Sequence, residues 1–296
     1  MGHGHRRRVL IYISGGGNEG MGHMIRSSHL ANELEGLGAE VLVATSARHS
    51  GLIPAWMKCP RAEIEMDYLR SKNPVVETDF SPDVFVLDVM FPRDDWLCAP
   101  KNVLIVGAGW SITKKIAAAA DLLVFQTGWT IKAERSISGP KHLMLSPRYR
   151  GRPPGKTQQM MISFGAGIPR DYEDAAREAF PDALVPEGGE MLCGLQYRSR
   201  VHVGSMGMSS YESMALGCVP IVVSRSADHE DTARKLQRLG VLVSCGILAD
   251  CPPQSMVKIV RDVLLEGTLA DKMSEAGMAL VDGKGLGRVA RRILSV

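Results

Sequence analysis

The sequence predicts an α/β protein of two domains, each a parallel sheet covered by helices, and three observations predict it. Short apolar runs rich in Val, Ile and Leu alternate with stretches of helical periodicity along the whole chain. The runs end in Gly, Ser, Asp or Gln, residues that open loops where a strand stops. A segment crowded with Pro and Gly interrupts the rhythm near the middle of the 296 residues. That length suits two domains of about 140 residues each better than one.

The first strand is Val9–Ile13, an apolar run that ends in Ser14 and three glycines. A helix follows from Met24, with Leu30, Ala31, Leu34 and Leu37 on its inner face, and Gly38 stops it. Val41–Ala44, Val84–Leu87, Val103–Val106 and Leu122–Phe125 read as four further strands. Residues 146–157, from Ser146 to Thr157, have no periodicity and form the expected linker between domains 1–145 and 158–296. The second domain reads as Met160–Ser163, a helix near 171–180, Val201–Val203, and a helix from about Ser209. Val219–Val223, a helix over about 230–238, Val241–Ser244 and C-terminal helices from about 253 complete it. Two such Rossmann-like domains are expected to face each other across a cleft at the carboxyl ends of their strands, where open parallel sheets bind ligands.

Composition narrows the function classes. Hydrophobic residues make up 45% and charged residues 23%, values of an ordinary globular protein. No stretch reaches the ~18–20 uninterrupted apolar residues of a membrane span. The basic opening at Arg6-Arg7-Arg8 leads into a run too short for a signal peptide, so that run reads as a buried strand. Six scattered cysteines lack C-x-x-C or metal spacing, which fits free thiols in a reducing cytoplasm and no bound metal. The net charge of +3 does not by itself indicate a nucleic-acid partner. Arg148, Arg150, Arg152 and Lys156, with Arg6 to Arg8, form a basic set suited to a polyanion, or simply to a solvated linker and terminus.

The most informative segment is Asn18 to Ser27, between the first strand and the first helix. Gly20 and Gly22 leave backbone N–H groups open to an anion at a helix start. The pattern departs from G-x-G-x-x-G, and no acidic residue ends the second strand, so a dinucleotide cofactor fits poorly. His23 lies at the helix start, where an imidazole accepts a proton near neutral pH. Arg26, one turn on, can contact phosphate or hold a loop. A purely structural use, with His23 as cap and Arg26 in a surface ion pair, remains open. Asp88, which follows Val84–Leu87, is a second catalytic candidate.

In the second half, Gly165 ends the Met160–Ser163 strand in a turn that lets a ligand approach backbone, or is only a tight turn. Gly204, Ser205, Gly207, Ser209 and Ser210 form a Gly/Ser loop opening a helix, with N–H groups and hydroxyls suited to a diphosphate. Glu212, two residues on, can accept both hydroxyls of a ribose. Ser209 or Ser210 also suits a plain N-cap, and Glu212 a dipole-favoured first turn. Asp228, His229 and Glu230 follow another strand and either receive sugar hydroxyls or cap the next helix.

Gly20-Met-Gly-His-Met-Ile-Arg26 resembles the G-x-G-H-x-x-R loop of GT-B nucleotide-sugar enzymes. That loop occurs in UDP-sugar hydrolases of pseudaminic acid synthesis, in spore-coat polysaccharide relatives and, more distantly, near the murein glycosyltransferase family. The likeness continues through Gly139–Arg148, Ile162–Gly165, Gly204–Pro220 and Leu280–Gly285. It implies the GT-B fold, a UDP-linked sugar as substrate with no cofactor, no essential metal, His23 as catalytic base and Glu212 as ribose ligand. The chain departs from the hydrolases at Asp88-Val-Met90, Val106-Gly-Ala-Gly109 and Asp228-His-Glu230. Those positions serve the hydrolase's own substrate, so the resemblance supports nucleotide-sugar binding more than hydrolysis. The expected activity is glycosyl transfer to an acceptor hydroxyl, with modified DNA among the conceivable acceptors. A UDP-sugar hydrolase and a non-catalytic nucleotide-sugar-binding protein are the alternatives.

Overall fold

In a computed structural model the chain divides into two compact units, Met1–Pro147 with Lys284–Val296, and Arg148–Gly283. The structure describes residues 6–14, 21–64, 80–89, 92–93, 96–97, 99–107, 112–126, 135–150, 158–165, 167–187, 192–265 and 267–296.

The first unit is built on a seven-stranded parallel sheet. Its strands are β1 (Arg8–Ile13), β2 (Glu40–Thr45), β3 (Arg61–Glu63), β4 (Val84–Asp88), β5 (Lys101–Val106), β6 (Leu122–Phe125) and β7 (Ser136–Ile137), in the spatial order 3-2-1-4-5-6-7. The order reverses between β1 and β4, and the carboxyl ends flanking such a reversal form the natural ligand crevice of a doubly wound sheet. Alternation along β1 sends Val9, Ile11 and Ile13 to one face and Leu10 and Tyr12 to the other, so two apolar cores sandwich the sheet.

Helix α1 (Gly22–Gly36) covers the first face with Met24, Leu30, Ala31 and Leu34. Two short helices, α2 (Ala47–Ser50) and α3 (Lys114–Ala119), follow, and Ile116 of α3 seals the second face.

The second unit holds a four-stranded parallel sheet of β8 (Gln158–Ser163), β9 (Ser199–Ser205), β10 (Val219–Ser224) and β11 (Val243–Ile247), ordered 11-10-9-8. Leu184 adds a single parallel bridge beside β8. Its helices are α4 (Arg170–Ala179), α5 (Leu192–Arg198), α6 (Met208–Ala215), α7 (Ala227–Arg238), α8 (Pro253–Leu265) and α9 (Gly267–Leu280). The core joins β8, β9 and β10 to Tyr172 and Ala176 of α4 and to Met256, Val257 and Val260 of α8.

The last helix, α10 (Gly285–Leu294), corrects the expected domain boundaries. Leu286, Val289, Ala290 and Ile293 join the core of the first unit, beside α1. The expected second domain of 158–296 therefore ends at Gly283, and burying that apolar face decides where the helix goes. The expected linker also differs. Its first residues fold as a 3-10 turn, Pro147–Tyr149, with Tyr149 buried, while 151–157 lie outside the described residues.

Candidate functional site

In the first unit the chemistry collects at the point where the strand order reverses. Asp88 is the last residue of β4, paired in register with Ile13 of β1, and is fully buried. Helix α1 begins just after β1 and carries His23, Arg26 and Ser27 to the same carboxylate. Asp88 Oδ1 accepts from His23 Nδ1 at 2.7 Å, and Oδ2 accepts from Arg26 Nε at 2.8 Å and from Ser27 Oγ at 2.5 Å. A second Arg26 nitrogen, Nη2, also reaches Oδ1.

Burial by itself would push the Asp88 carboxyl up, but the charge and hydrogen bonds of Arg26 and His23 outweigh it and hold the group well below the usual carboxylate range. An ionised carboxylate only accepts, so its 2.7 Å contact favours a proton on Nδ1, the nitrogen that Arg26 Nη2 also approaches to 2.9 Å. With the proton on Nδ1 donated to Asp88, Nε2 keeps its lone pair and can act as a base. Gly107, just past β5, lies against the His23–Arg26 side of the cluster. A Cβ there would lie 3.6 Å from Arg26 Nη2 and 3.8 Å from His23 Cε1.

The expectations for this loop resolve differently. His23 and Asp88 meet. Arg26, offered as a phosphate contact or a loop anchor, spends its guanidinium on Asp88. Gly22 opens α1, which has no side-chain N-cap, so His23 is not the cap. Gly20 lies outside the described residues. Ser27 was missed; its spacing one turn beyond His23 on α1 was the available signal.

In the second unit the Gly/Ser loop is bound to its neighbours by an oriented set of hydrogen bonds. Gly165 N–H donates to Ser205 Oγ at 3.1 Å, tying the turn after β8 to the end of β9. Gly207 caps α6. Ser210 Oγ accepts from Gly207 N–H at 3.4 Å and donates to Ser205 O at 3.3 Å, so Ser210 is buried and Ser209 is not the cap. Gly204 is required by close approach, because a Cβ there would stand 2.3 Å from Ser163 O.

Beneath the loop lies a relay that the sequence did not suggest. Gln196 Nε2 donates to Ser209 O at 3.0 Å and to Ser213 Oγ at 2.9 Å. Ser213 lies 2.8 Å from His202 Nδ1, and His202 Nε2 lies 3.2 Å from Ser163 O. A carbonyl only accepts, so Nε2 carries the His202 proton and Ser213 donates to Nδ1. Full burial keeps this imidazole neutral by pushing its pKa down to about 4.

Glu212, in the second turn of α6, is half-buried and lies near Tyr149. Burial pushes its carboxyl up to about 7, against a smaller opposing influence of the nearby Tyr149. The Asp228–Glu230 segment divides. Glu230 accepts from Ser244 Oγ at 2.8 Å and from Arg234 Nε at 2.7 Å, one bond to each oxygen. His229 Nδ1 sits 2.7 Å from Ser226 Oγ, the α7 cap, and Asp228 is exposed in the first turn. Of the basic set, Arg7 donates to Val296 O at 2.7 Å and Arg8 pairs with Glu40 at 3.3 Å, while Arg152 and Lys156 lie outside the described residues. Among the described residues no group of three or more His, Cys, Asp or Glu is placed to hold a metal ion, and no helix is long and apolar enough to cross a membrane.

No protein-family profile matches the chain. Over 138 residues it is 26% identical to the spore coat polysaccharide biosynthesis protein SpsG of Bacillus subtilis, a match that spans 45% of this chain and 40% of that protein. Solved structures resemble it over nearly the full length. They include Acinetobacter baumannii MurG, with a TM-score of 0.71 at 13% identity, covering 98% of this chain and 100% of that one. A second is a putative UDP-N-acetylglucosamine 2-epimerase from Listeria monocytogenes, with a TM-score of 0.65 at 13% identity, covering 98% and 96%. With its two parallel α/β sheets, the chain has the two-domain, Rossmann-like GT-B fold.

Proposed function

We propose that the protein transfers a sugar from a nucleotide sugar, UDP-linked by the resemblance of its loops, to an acceptor hydroxyl. The observation that carries the reading is the His23–Asp88 pair at the strand-order reversal of the first unit. In this reading His23 Nε2 takes the proton of the acceptor hydroxyl as its oxygen attacks the anomeric carbon. The bond from that carbon to the diphosphate breaks, the nucleoside diphosphate departs, and the anomeric centre inverts. Asp88 holds the imidazole and stabilises the imidazolium that forms, with Arg26 and Ser27 fixing Asp88 in turn. The diphosphate is assigned to the 204–210 loop at the start of α6, whose N–H groups and dipole favour an anion. Glu212 is assigned to the ribose hydroxyls.

The test is incubation of the pure protein with UDP-, GDP- and dTDP-sugars, with and without hydroxyl-bearing acceptors including modified DNA. Nucleoside diphosphate release and the mass of every product are then followed. Acceptor-dependent release with a mass gain on the acceptor supports transfer. Diphosphate and free sugar released without acceptor would replace transfer by hydrolysis in the same site. Substituting His23 by Ala should lower turnover by about 10²–10⁴-fold while nucleotide binding persists. A parent protein that binds nucleotide sugars but yields no product with any acceptor would leave a binding protein.

A further inference from the structure

Three neighbouring strand ends of the second unit surround the Gly/Ser loop. In the sheet β9 lies between β8 and β10, and the loop springs from its carboxyl end. On one side Gly165 N–H reaches Ser205 Oγ from the turn after β8. On the other, Met206 N–H donates to Val223 O of β10 at 3.0 Å. β10 ends at Ser224, and the next residue, Arg225, is exposed. Its side chain lies against Gly167, in the turn beyond β8. A Cβ at that glycine would stand 3.5 Å from Arg225 Nη1 and 3.7 Å from its Cδ. β8 and β10 are two strand spacings apart, about 9–10 Å, so Arg225 and Gly167 meet across the end of β9.

We propose that Arg225 is a substrate-binding residue, its guanidinium pairing with the terminal phosphate of the nucleoside diphosphate as that group leaves. The inference rests on the assignment of the diphosphate to the 204–210 loop. When the anomeric C–O bond breaks, its electron pair stays on the β-phosphate oxygen, and the diphosphate gains one negative charge. Backbone N–H groups and a helix dipole meet that charge with partial charges only. A guanidinium brings a full charge and a planar fork of donors that matches phosphate oxygens. No residue from Gly204 to Ser210 is cationic, so a countercharge comes from a neighbour of the loop, and Arg225 stands at its edge. Arg26, the cation that the sequence suggested for phosphate, donates instead to Asp88 in the first unit.

The experiment compares the parent, Arg225→Gln and Arg225→Lys. Affinities for uridine, guanosine and thymidine, and for their diphosphates, are measured by NMR titration, with the thermal midpoint of each protein as the control for folding. Arg225→Gln should bind the diphosphate that the parent prefers about 10- to 100-fold more weakly, with the affinity for its nucleoside unchanged. Arg225→Lys, which keeps the charge but not the fork, should recover part of that loss. Equal diphosphate binding by the parent and Arg225→Gln overturns the inference while leaving the diphosphate with the loop. Equal losses for nucleoside and diphosphate also overturn it, and reduce Arg225 to a brace for the Gly167 turn. A parent that binds none of the three diphosphates removes the nucleotide-sugar reading itself, and the inference with it.

Discussion

The two units each bury a carboxylate near the end of a parallel sheet, and the two carboxylates behave in opposite ways. Asp88 is sealed from solvent, which raises its carboxyl, yet it is held low by the charge of Arg26 and by the hydrogen bonds of Arg26 and His23. Glu212 is pushed up to about 7 by burial, which the nearby Tyr149 offsets only in part. Burial raises both, and the charge of the partner decides which way each finally moves. The first arrangement suits a carboxylate that must stay ionised to hold a base. The second suits a group whose charge is completed by what binds it.

Replacing Asp88 by Asn should have the largest effect. It keeps the shape but removes the charge that fixes the His23 tautomer, and it leaves Arg26 without its buried partner. Turnover should fall by about 10³–10⁴-fold while uridine diphosphate binding to the second unit stays within about threefold of the parent. Equal losses in both would show that the two nodes are not independent. A step smaller, Ile293→Ala tests the helix that the first unit takes from the chain terminus. It should destabilise that unit by about 2–5 kcal/mol in chemical denaturation, with the transition of the second unit unmoved.

Next, His202→Ala removes the middle of the relay under the Gly/Ser loop, taking from Ser163 O its imidazole donor and from the Ser213 hydroxyl its acceptor. A cost of about 1–3 kcal/mol is expected in the second unit, together with weaker nucleotide binding. The smallest effect comes from pH. For Asp88 the folded value lies below the unfolded one, so its stabilisation is present above about pH 4 and is lost as pH falls below that. For Glu212 the folded value lies above, so stability declines as pH rises from about 4.5 to about 7. Glu212→Gln should accordingly be more stable than the parent above pH 7 and indistinguishable from it below pH 4. A variant that loses stability at pH 8 would mean that the carboxylate is already fully satisfied in the unliganded protein.

Much of this architecture was readable before any coordinates. The strands at Val9–Ile13, Val84–Leu87, Val103–Val106 and Leu122–Phe125 are near-continuous apolar runs, the pattern of strands buried on both faces. The edge strands β3 and β7 were not readable, because Arg61–Glu63 and Ser136–Ile137 are too short to show a period. The expected strand at Val241–Ser244 lies instead at Val243–Ile247. Val241 N–H donates to Leu236 O and Gly240 N–H to Gln237 O, so Val241 closes the end of α7 before the strand begins. An apolar pair after a glycine serves a helix terminus as well as a strand, and local pattern does not separate the two uses.

By itself the sequence determined the parts: two α/β halves, a glycine loop with His23 and Arg26 after the first strand, and a Gly/Ser loop leading to Glu212. Periodicity and loop chemistry are local properties, written within a few residues of where they act. Only the tertiary structure decided the partnerships. It set Asp88 against His23 across 65 positions, brought Arg26 to the same carboxylate, and placed Ser244 beside Glu230. It also buried Tyr149, from the expected linker, in the second unit and returned α10 to the first. Each of these depends on which distant group a buried charge or an apolar face finds beside it, and that is fixed by packing rather than by position along the chain.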